Sequence, residues 1–98
     1  MKILKEKTAN NLSIALEGRL DTTTAPELET VFADELGDVT ELVLDMNNLE
    51  YISSAGLRVL LMAQKTMNSK GTMVIRNVCE NVREVFEITG FSDILTIE

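Results

Sequence analysis

The sequence has no histidine, no tryptophan and a single cysteine. Without histidine the chain can build neither a Ser-His-Asp nor a Cys-His catalytic site, and it has no imidazole to ligate a metal. The lone Cys79 can form neither an internal disulfide nor a thiolate zinc cluster. Aromatic residues make up only 4% of the chain, so recognition of bases or sugars by stacking has little to work with. Together these absences exclude most catalytic and cofactor chemistry.

Long apolar runs are also missing. No run approaches the roughly 20 residues that a membrane span needs, and lysines follow Met1 too early for the apolar region of a signal peptide. We therefore expect a cytoplasmic protein without a membrane span. The 98 residues, 45% hydrophobic and 26% charged, have the balance of one globular domain over residues 1–98.

Positive charge is scarce and unevenly placed. The 9 basic against 16 acidic residues give a net charge of -7, which makes direct nucleic-acid binding unfavourable. Residues 17–50 hold ten acidic side chains and one basic side chain, whereas residues 51–83 hold five basic and one acidic. The acidic half is either a solvated surface or a surface that steers a basic partner.

Alternating and continuous apolar patterns predict the strands. Residues 2–17 read as a hairpin, because Asn10-Asn11 is a turn signal and every second residue from Leu12 to Leu16 is apolar. The short apolar runs 42–44 and 73–75 predict strands buried on both faces. We expect a loop from Asp45 to Tyr51 and a short last strand around residues 94–97.

Start and stop signals delimit three helices between these strands. A capping box at Thr24-Ala25-Pro26-Glu27 opens the first helix and Gly37 ends it. The second runs from Ser53-Ser54 to about Ser69, with Gly71 closing it. A second capping box, Asn77 with Glu80, opens the third, which Gly90 stops. The order ββαβαβαβ predicts an α/β fold with a mixed sheet, in which an antiparallel hairpin is followed by parallel crossovers.

The start of the second helix holds the most informative side chains. Ser54 is predicted to be the N-cap, and it is also a candidate phosphoacceptor, because a helix N-terminus stabilises a phosphate. The two roles are compatible, and Arg58 lies one turn further on. Met62 falls on the polar side of this helix, either as an isolated exposed side chain or as a flexible contact for a partner.

Other chemistry is scarce. Ser54-Ala55-Gly56 lacks the Gly-x-Ser-x-Gly pattern of a nucleophile elbow, and without histidine the serine has no usual base. Carboxylates at Asp21, Asp45 and Glu50 fall near predicted loops, but their spacing dictates no metal site. We therefore expect no enzyme activity, no metal and no cofactor.

Three segments together resemble the STAS domain family of anti-sigma factor antagonists. They are Leu16-Glu17-Gly18-Arg19-Leu20-Asp21, then Leu42-Val43-Leu44-Asp45 followed by Leu49-Glu50-Tyr51-Ile52-Ser53-Ser54-Ala55-Gly56-Leu57, and finally Val82 to Phe91. The resemblance covers nearly the whole chain. It implies a single STAS domain with the mixed sheet and three helices described above.

The resemblance also implies a mechanism. In this family an unphosphorylated antagonist binds an anti-sigma factor that is itself a serine kinase, and this releases the sigma factor. The kinase then phosphorylates a serine at the start of a helix, the complex dissociates, and a metal-dependent serine phosphatase resets the antagonist. By motif, the resemblance implies that Ser54 is the phosphorylated serine and that Asp21 is the acidic residue of the family's loop. The implied docking patch comprises Asp21, Ser53, Ser54, Ala55, Gly56 and Arg58, and Met62 joins it as the flexible contact expected from its place on the helix. We expect the free protein to be a monomer.

The sequence departs from the best-known family members just before and after this serine. Ser53 stands where those members often have Asp, and Ala55-Gly56-Leu57-Arg58 replaces a Ser or Thr followed by Gly-Leu-Gly. Ser53 therefore stays an alternative phosphorylation site. A second function also stays open, that of a STAS interaction module in another signalling or lipid-transport assembly, in which Ser54 is only a helix cap.

Overall fold

A four-stranded sheet and three helices make up the fold. A computed structural model describes all 98 residues. The strands are β1 (Lys2–Thr8), β2 (Asn11–Leu20), β3 (Glu41–Ile52) and β4 (Thr72–Arg76), and the helices are α1 (Ala25–Glu35), α2 (Ser54–Asn68) and α3 (Glu80–Thr89). The sheet order is β1-β2-β3-β4, with β1 and β2 antiparallel and the other two pairs parallel. The predicted mixed α/β sheet with an antiparallel opening hairpin is confirmed.

The predicted last strand is reduced to a single bridge. A 3₁₀ turn at Phe91–Asp93 follows α3, and only Ile97 then pairs with the sheet, in parallel with Ile75 of β4. The Ile75 amide donates to the Thr96 carbonyl and the Glu98 amide donates to the Ile75 carbonyl, both at 2.9 Å. The end of the chain therefore covers the outer edge of β4 without forming a full strand.

The core lies on one face of the sheet. Leu42 and Leu44 of β3 are buried, whereas Val43 between them is only half-buried, and β4 repeats this pattern around the half-buried Val74. The expectation that these two strands are buried on both faces is thus wrong. Alternation of this kind is typical of a sheet that is covered on one face only.

β3 is longer than predicted, because the expected loop from Asp45 to Tyr51 continues the strand. Its pairing with β2 shifts register twice, and at each shift β3 carries one extra residue. The buried positions accordingly change from every second residue up to Met46 to every third at Leu49 and Ile52. This extension brings β3 and β2 to a common end at Ile52 and Leu20, directly before α2.

Neither predicted capping box forms. Thr24 is the N-cap of α1, but its side chain makes no capping bond; its hydroxyl instead donates to the Arg19 carbonyl at 2.8 Å. The N-cap of α3 is Cys79 rather than Asn77. The side-chain amide of Asn77 instead donates to Asp45 Oδ1 at 3.1 Å. Tertiary and turn hydrogen bonds therefore occupy the side chains that the sequence assigned to caps.

Candidate functional site at the start of α2

The chain passes from β3 into α2 through one residue, Ser53. Its amide donates to the Leu20 carbonyl at 2.9 Å, which extends the parallel pairing, and its carbonyl accepts from the Leu57 amide at 2.9 Å, which begins the helix. Ser53 is therefore the N-cap, and Ser54 is the first helical residue. The sequence-based assignment of Ser54 as N-cap is corrected by one position.

The two neighbouring serine side chains differ in accessibility. The Ser53 hydroxyl is buried, makes no hydrogen bond and does not cap the helix. Ser54 is exposed at the surface. Because the first intrahelical bond comes from Leu57, the amides of the first turn have no acceptor within the helix. This end of α2 therefore stabilises negative charge next to the Ser54 hydroxyl.

Gly56 sets how closely α2 approaches the strand ends. It is buried, and a Cβ at this position would lie 2.7 Å from Leu20 Cγ and 2.8 Å from Ile52 Cγ1. Only glycine lets the first turn pack directly on β2 and β3 in this way. Gly56 therefore contributes to the expected docking patch by setting the position of α2, since the residue itself is buried.

The turn after β2 holds Asp21 beside this junction. Asp21 Oδ1 accepts hydrogen bonds from the Thr23 hydroxyl at 2.8 Å and from the amides of Thr23 and Thr24 at 3.0 and 3.2 Å. The bond from the Thr23 hydroxyl is the main reason that the pKa of Asp21 lies below its usual value, with partial burial acting in the opposite direction. Asp21 is thus an ionised carboxylate that these hydrogen bonds hold in one orientation. It lies next to Ser53, because the Ser53 amide donates to the carbonyl of Leu20, the residue before Asp21.

Arg58 and Met62 are both exposed on the outer side of α2, with Met62 48% exposed. Arg58 lines a shallow groove together with Thr22 and the half-buried Ala55. Asp45 lies elsewhere: it pairs with Ala15 and Arg76 within the sheet. The structure therefore joins the Asp21 turn to the first turns of α2 and leaves Asp45 out of the site.

Arg19 and Tyr51 were not among the sequence-predicted site residues. They are register partners at the ends of β2 and β3, and the Arg19 guanidinium carbon lies 4.2 Å from the Tyr51 ring centroid. Arg19 Nε also lies 3.7 Å from Asp21 Oδ2. Tyr51 is 40% exposed, so this stacked pair forms a surface feature beside the site. Only the two register shifts bring Arg19 opposite Tyr51, and nothing in the local sequence predicts them.

Comparison with known proteins places the chain in a family. The STAS domain profile matches residues 2–98. The protein BtrV of Bordetella bronchiseptica, itself a proposed anti-sigma factor antagonist, is 37% identical over 99 residues, which cover 99% of this chain and 85% of BtrV. The chain therefore belongs to the STAS domain family and, within it, to the anti-sigma factor antagonists. Members of this group are regulators and not enzymes, in agreement with the expectation from the sequence.

Solved structures share the fold. An anti-sigma factor antagonist from Mycobacterium paratuberculosis superposes with a TM-score of 0.88 at 22% identity, covering 98% of this chain and 83% of its own. The antagonist SpoIIAA has been solved unphosphorylated, with a TM-score of 0.73 at 20% identity over 99% of this chain and 87% of its own. Its phosphorylated form from Bacillus superposes with a TM-score of 0.69 at 20% identity, covering 99% of this chain and 91% of its own. None of the helices in the present structure is both long and apolar enough to cross a membrane.

Proposed function

We propose that the chain is a phosphorylation-switched antagonist. Its unphosphorylated form binds an anti-sigma factor serine kinase and so releases the sigma factor, and phosphorylation of Ser54 ends the binding. A serine phosphatase restores the active form, and the chain acts in the cytoplasm as a monomer, without contacting nucleic acid itself. The observation that carries the proposal is the exposed Ser54 hydroxyl at the first residue of α2, beside uncapped amides.

Accessibility favours Ser54 over Ser53 as the acceptor. A kinase must reach the hydroxyl oxygen, and that of Ser53 is buried whereas Ser54 is exposed. That a structural neighbour, SpoIIAA, exists in both an unphosphorylated and a phosphorylated form supports a phosphorylation switch in this fold.

Phosphorylation is expected to change the surface and leave the helix intact. A phosphate adds about -1.5 to -2 charge at pH 7. The amides at the start of α2 favour this charge, and Arg58, one turn further on, is the nearest base along the helix. Asp21 adds repulsion from the neighbouring turn. A partner that approaches Ala55 closely would have to desolvate or displace the phosphate, and binding is therefore lost.

The proposed docking patch follows from these positions. It consists of Asp21, Ser54, Ala55, Arg58 and Met62, with the partly buried Ser53 at its margin. Gly56 acts beneath the patch by letting α2 approach the strands.

Incubation with the anti-sigma factor kinase encoded in the same genome and ATP should place one phosphate on Ser54, as read by peptide mass spectrometry. Ser54→Ala should abolish labelling, whereas the matched variant Ser53→Ala should be labelled like the wild type. Since the Ser54 side chain caps nothing, Ser54→Ala should change the free energy of unfolding by no more than about 0.5 kcal/mol. Phosphate found on Ser53 alone would contradict the assignment.

A further inference from the structure

An apolar groove runs between α1 and α2 and continues the proposed docking patch, with which it shares Met62. Its volume is about 310 Å³, and its apolar lining comes equally from two sides, with Phe32, Ala33 and the C-cap Leu36 on the side of α1 and Val59, Met62 and Ala63 on α2. Met62 stands on its rim with 48% of its surface exposed. One exposed methionine needs no explanation, but one at the rim of an apolar groove marks an adaptable contact.

The groove is continuous with the start of α2. The shallow depression that contains Ala55 and Arg58 shares two lining residues, Glu29 and Val59, with the groove. The two form one furrow, which we call the α1–α2 furrow, leading from the first turn of α2 to Lys70 after its last turn. A partner seated on the first turn of α2 therefore meets this furrow directly.

Area and composition indicate that a partner extends in this direction. A stable interface buries about 800 Å² on each side, roughly a seventh of the 5384 Å² surface of this chain. The proposed docking patch holds six residues, whereas such an interface involves about 20–30 residues on each side. The depression around Leu49 and Cys79 is mainly polar, because its other lining residues are Glu17, Gly18, Asn47, Asn48, Glu50 and Asn81. Interface cores are apolar and rich in methionine, which favours the α1–α2 furrow.

Charge on the furrow defines the chemistry of its occupant. Glu29 on α1 and Arg58 on α2 are exposed and form no ion pair, while Lys70 at the far end donates to the Leu36 carbonyl within the chain. The unsatisfied charge facing a partner from α1 is therefore negative.

We propose that the α1–α2 furrow receives an apolar helix face of the anti-sigma factor kinase, with a basic side chain of that helix placed against Glu29. This rests on the proposed function, because it takes the partner from there. In the complex the furrow supplies most of the buried apolar area. The partner helix is then amphipathic, with apolar residues at i, i+3 or i+4, and i+7.

Methionine methyl groups provide a direct readout of furrow occupancy. The chain has five methionines, and Met62 is exposed on α2 whereas Met67, on the same helix, is fully buried. Titrating methyl-labelled chain with the unlabelled kinase should shift or broaden the Met62 signal and leave that of Met67 nearly unchanged. A Met62 signal that does not move in a saturated complex would overturn the proposal.

Matched substitutions test the same surface energetically. Met62→Glu should weaken kinase binding roughly tenfold or more, whereas Ile88→Glu, the same change at a 78% exposed apolar residue of α3, should leave affinity within about threefold. Likewise Glu29→Lys should weaken binding and Glu27→Lys, on α1 but outside the furrow, should not.

A glutamate in place of Ser54 separates this proposal from the proposed function. Binding that is lost in Ser54→Glu but normal in both Met62→Glu and Glu29→Lys would overturn the furrow proposal and leave the switch at Ser54 in place. Absence of any binding by the wild type would overturn both. If Met62→Glu instead lowers the mass of the free chain in sedimentation, the furrow is a contact between two copies, and the proposal is wrong.

Discussion

Ser53 and Ser54 show how one backbone step separates two identical side chains. Ser53 has an extended backbone, with φ -102° and ψ 177°, and still bonds to β2 through its amide, whereas Ser54 is already helical. The step turns the Ser53 hydroxyl into the fold and leaves Ser54 at the surface. The sequence predicts Ser54 as both cap and acceptor and keeps Ser53 as an alternative acceptor, because the choice depends on where the pairing with β2 ends.

The hydrogen bonds to Asp21 predict an acid-sensitive contribution to stability. Because the folded pKa of Asp21 is lowered, its contribution is fully present above the unfolded pKa, near pH 4, and is lost as the pH falls through the folded pKa. The stability advantage of the wild type over Asp21→Asn should therefore shrink on acidification below about pH 4. Denaturant unfolding at a series of pH values measures this difference.

A titration of the Asp21 carboxyl by NMR tests the cause. Thr23→Ala removes the bond that lowers the pKa most, so it should bring the pKa of Asp21 back toward its ordinary value. An unchanged pKa in Thr23→Ala would contradict the assigned cause.

Gln64 is a buried polar residue whose removal should stabilise the fold. It is 4% exposed, its Nε2 donates to Asn68 Oδ1 at 2.8 Å, and its Oε1 has no partner. An unsatisfied buried oxygen costs about 1–3 kcal/mol, more than the bond to Asn68 contributes. Gln64→Met should thus raise the free energy of unfolding by about 1 kcal/mol.

The control for this prediction is Asn68→Ala. It removes the same hydrogen bond but keeps the orphaned oxygen, so it should lower stability by up to about 1 kcal/mol. A loss of stability in Gln64→Met as large as that in Asn68→Ala would show that Oε1 is satisfied in solution.

At the scale of the elements, β3 shows what sequence patterns can and cannot predict. The run Leu42–Leu44 predicts a strand correctly, but the strand continues through the segment from Asp45 to Tyr51 that is predicted to be a loop. The extra residues of β3 are accommodated by its pairing with β2. This pairing depends on the sequence of β2 and cannot be predicted from that of β3 alone. The order of elements follows from local periodicity, whereas the strand ends that form the site follow from tertiary register.

Helix ends also differ in whether the local sequence predicts them. Gly90 stops α3 in a left-handed conformation with φ 81°, as a glycine after a helical pattern predicts. The predicted capping bonds from the side chains of Thr24 and Asn77 do not form, because these side chains bond to Arg19 and Asp45 instead. Glycine acts through its own backbone, whereas a polar cap competes with every other partner in reach.

The α2–β4 connection depends on a close approach at Gly71. A Cβ there would overlap the carbonyl oxygen of Thr40, which accepts the Thr72 amide at 2.9 Å. Gly71→Ala should therefore lower the free energy of unfolding by about 1–3 kcal/mol. Gly37→Ala is the matched control, since nothing lies within 4 Å of a Cβ there, and it should be neutral or stabilise by up to about 1 kcal/mol. Equal denaturant midpoints for the two variants would contradict this close contact.

Over the whole molecule, the uneven charge of the sequence becomes a boundary between two helices. α1 carries four acidic residues and no base, whereas α2 carries two bases and no acid. The two helices pack side by side, so the boundary coincides with the furrow that leads from Ser54. Opposite charges on either side of a docking surface favour one orientation of a partner.

One phosphate on Ser54 is expected to change binding without changing the fold. Loss of central contacts commonly costs more than about 2 kcal/mol, which corresponds to at least a roughly 30-fold loss of affinity. Amide protection across residues 55–69 should be the same in both forms, because the phosphate sits at a favourable helix end.

The measurement that tests this most directly is calorimetric titration of the anti-sigma factor kinase with the unmodified chain and with the chain phosphorylated on Ser54. We expect at least a roughly 30-fold weaker affinity for the phosphorylated form. Equal affinities would contradict it and would favour a STAS interaction module without a switch.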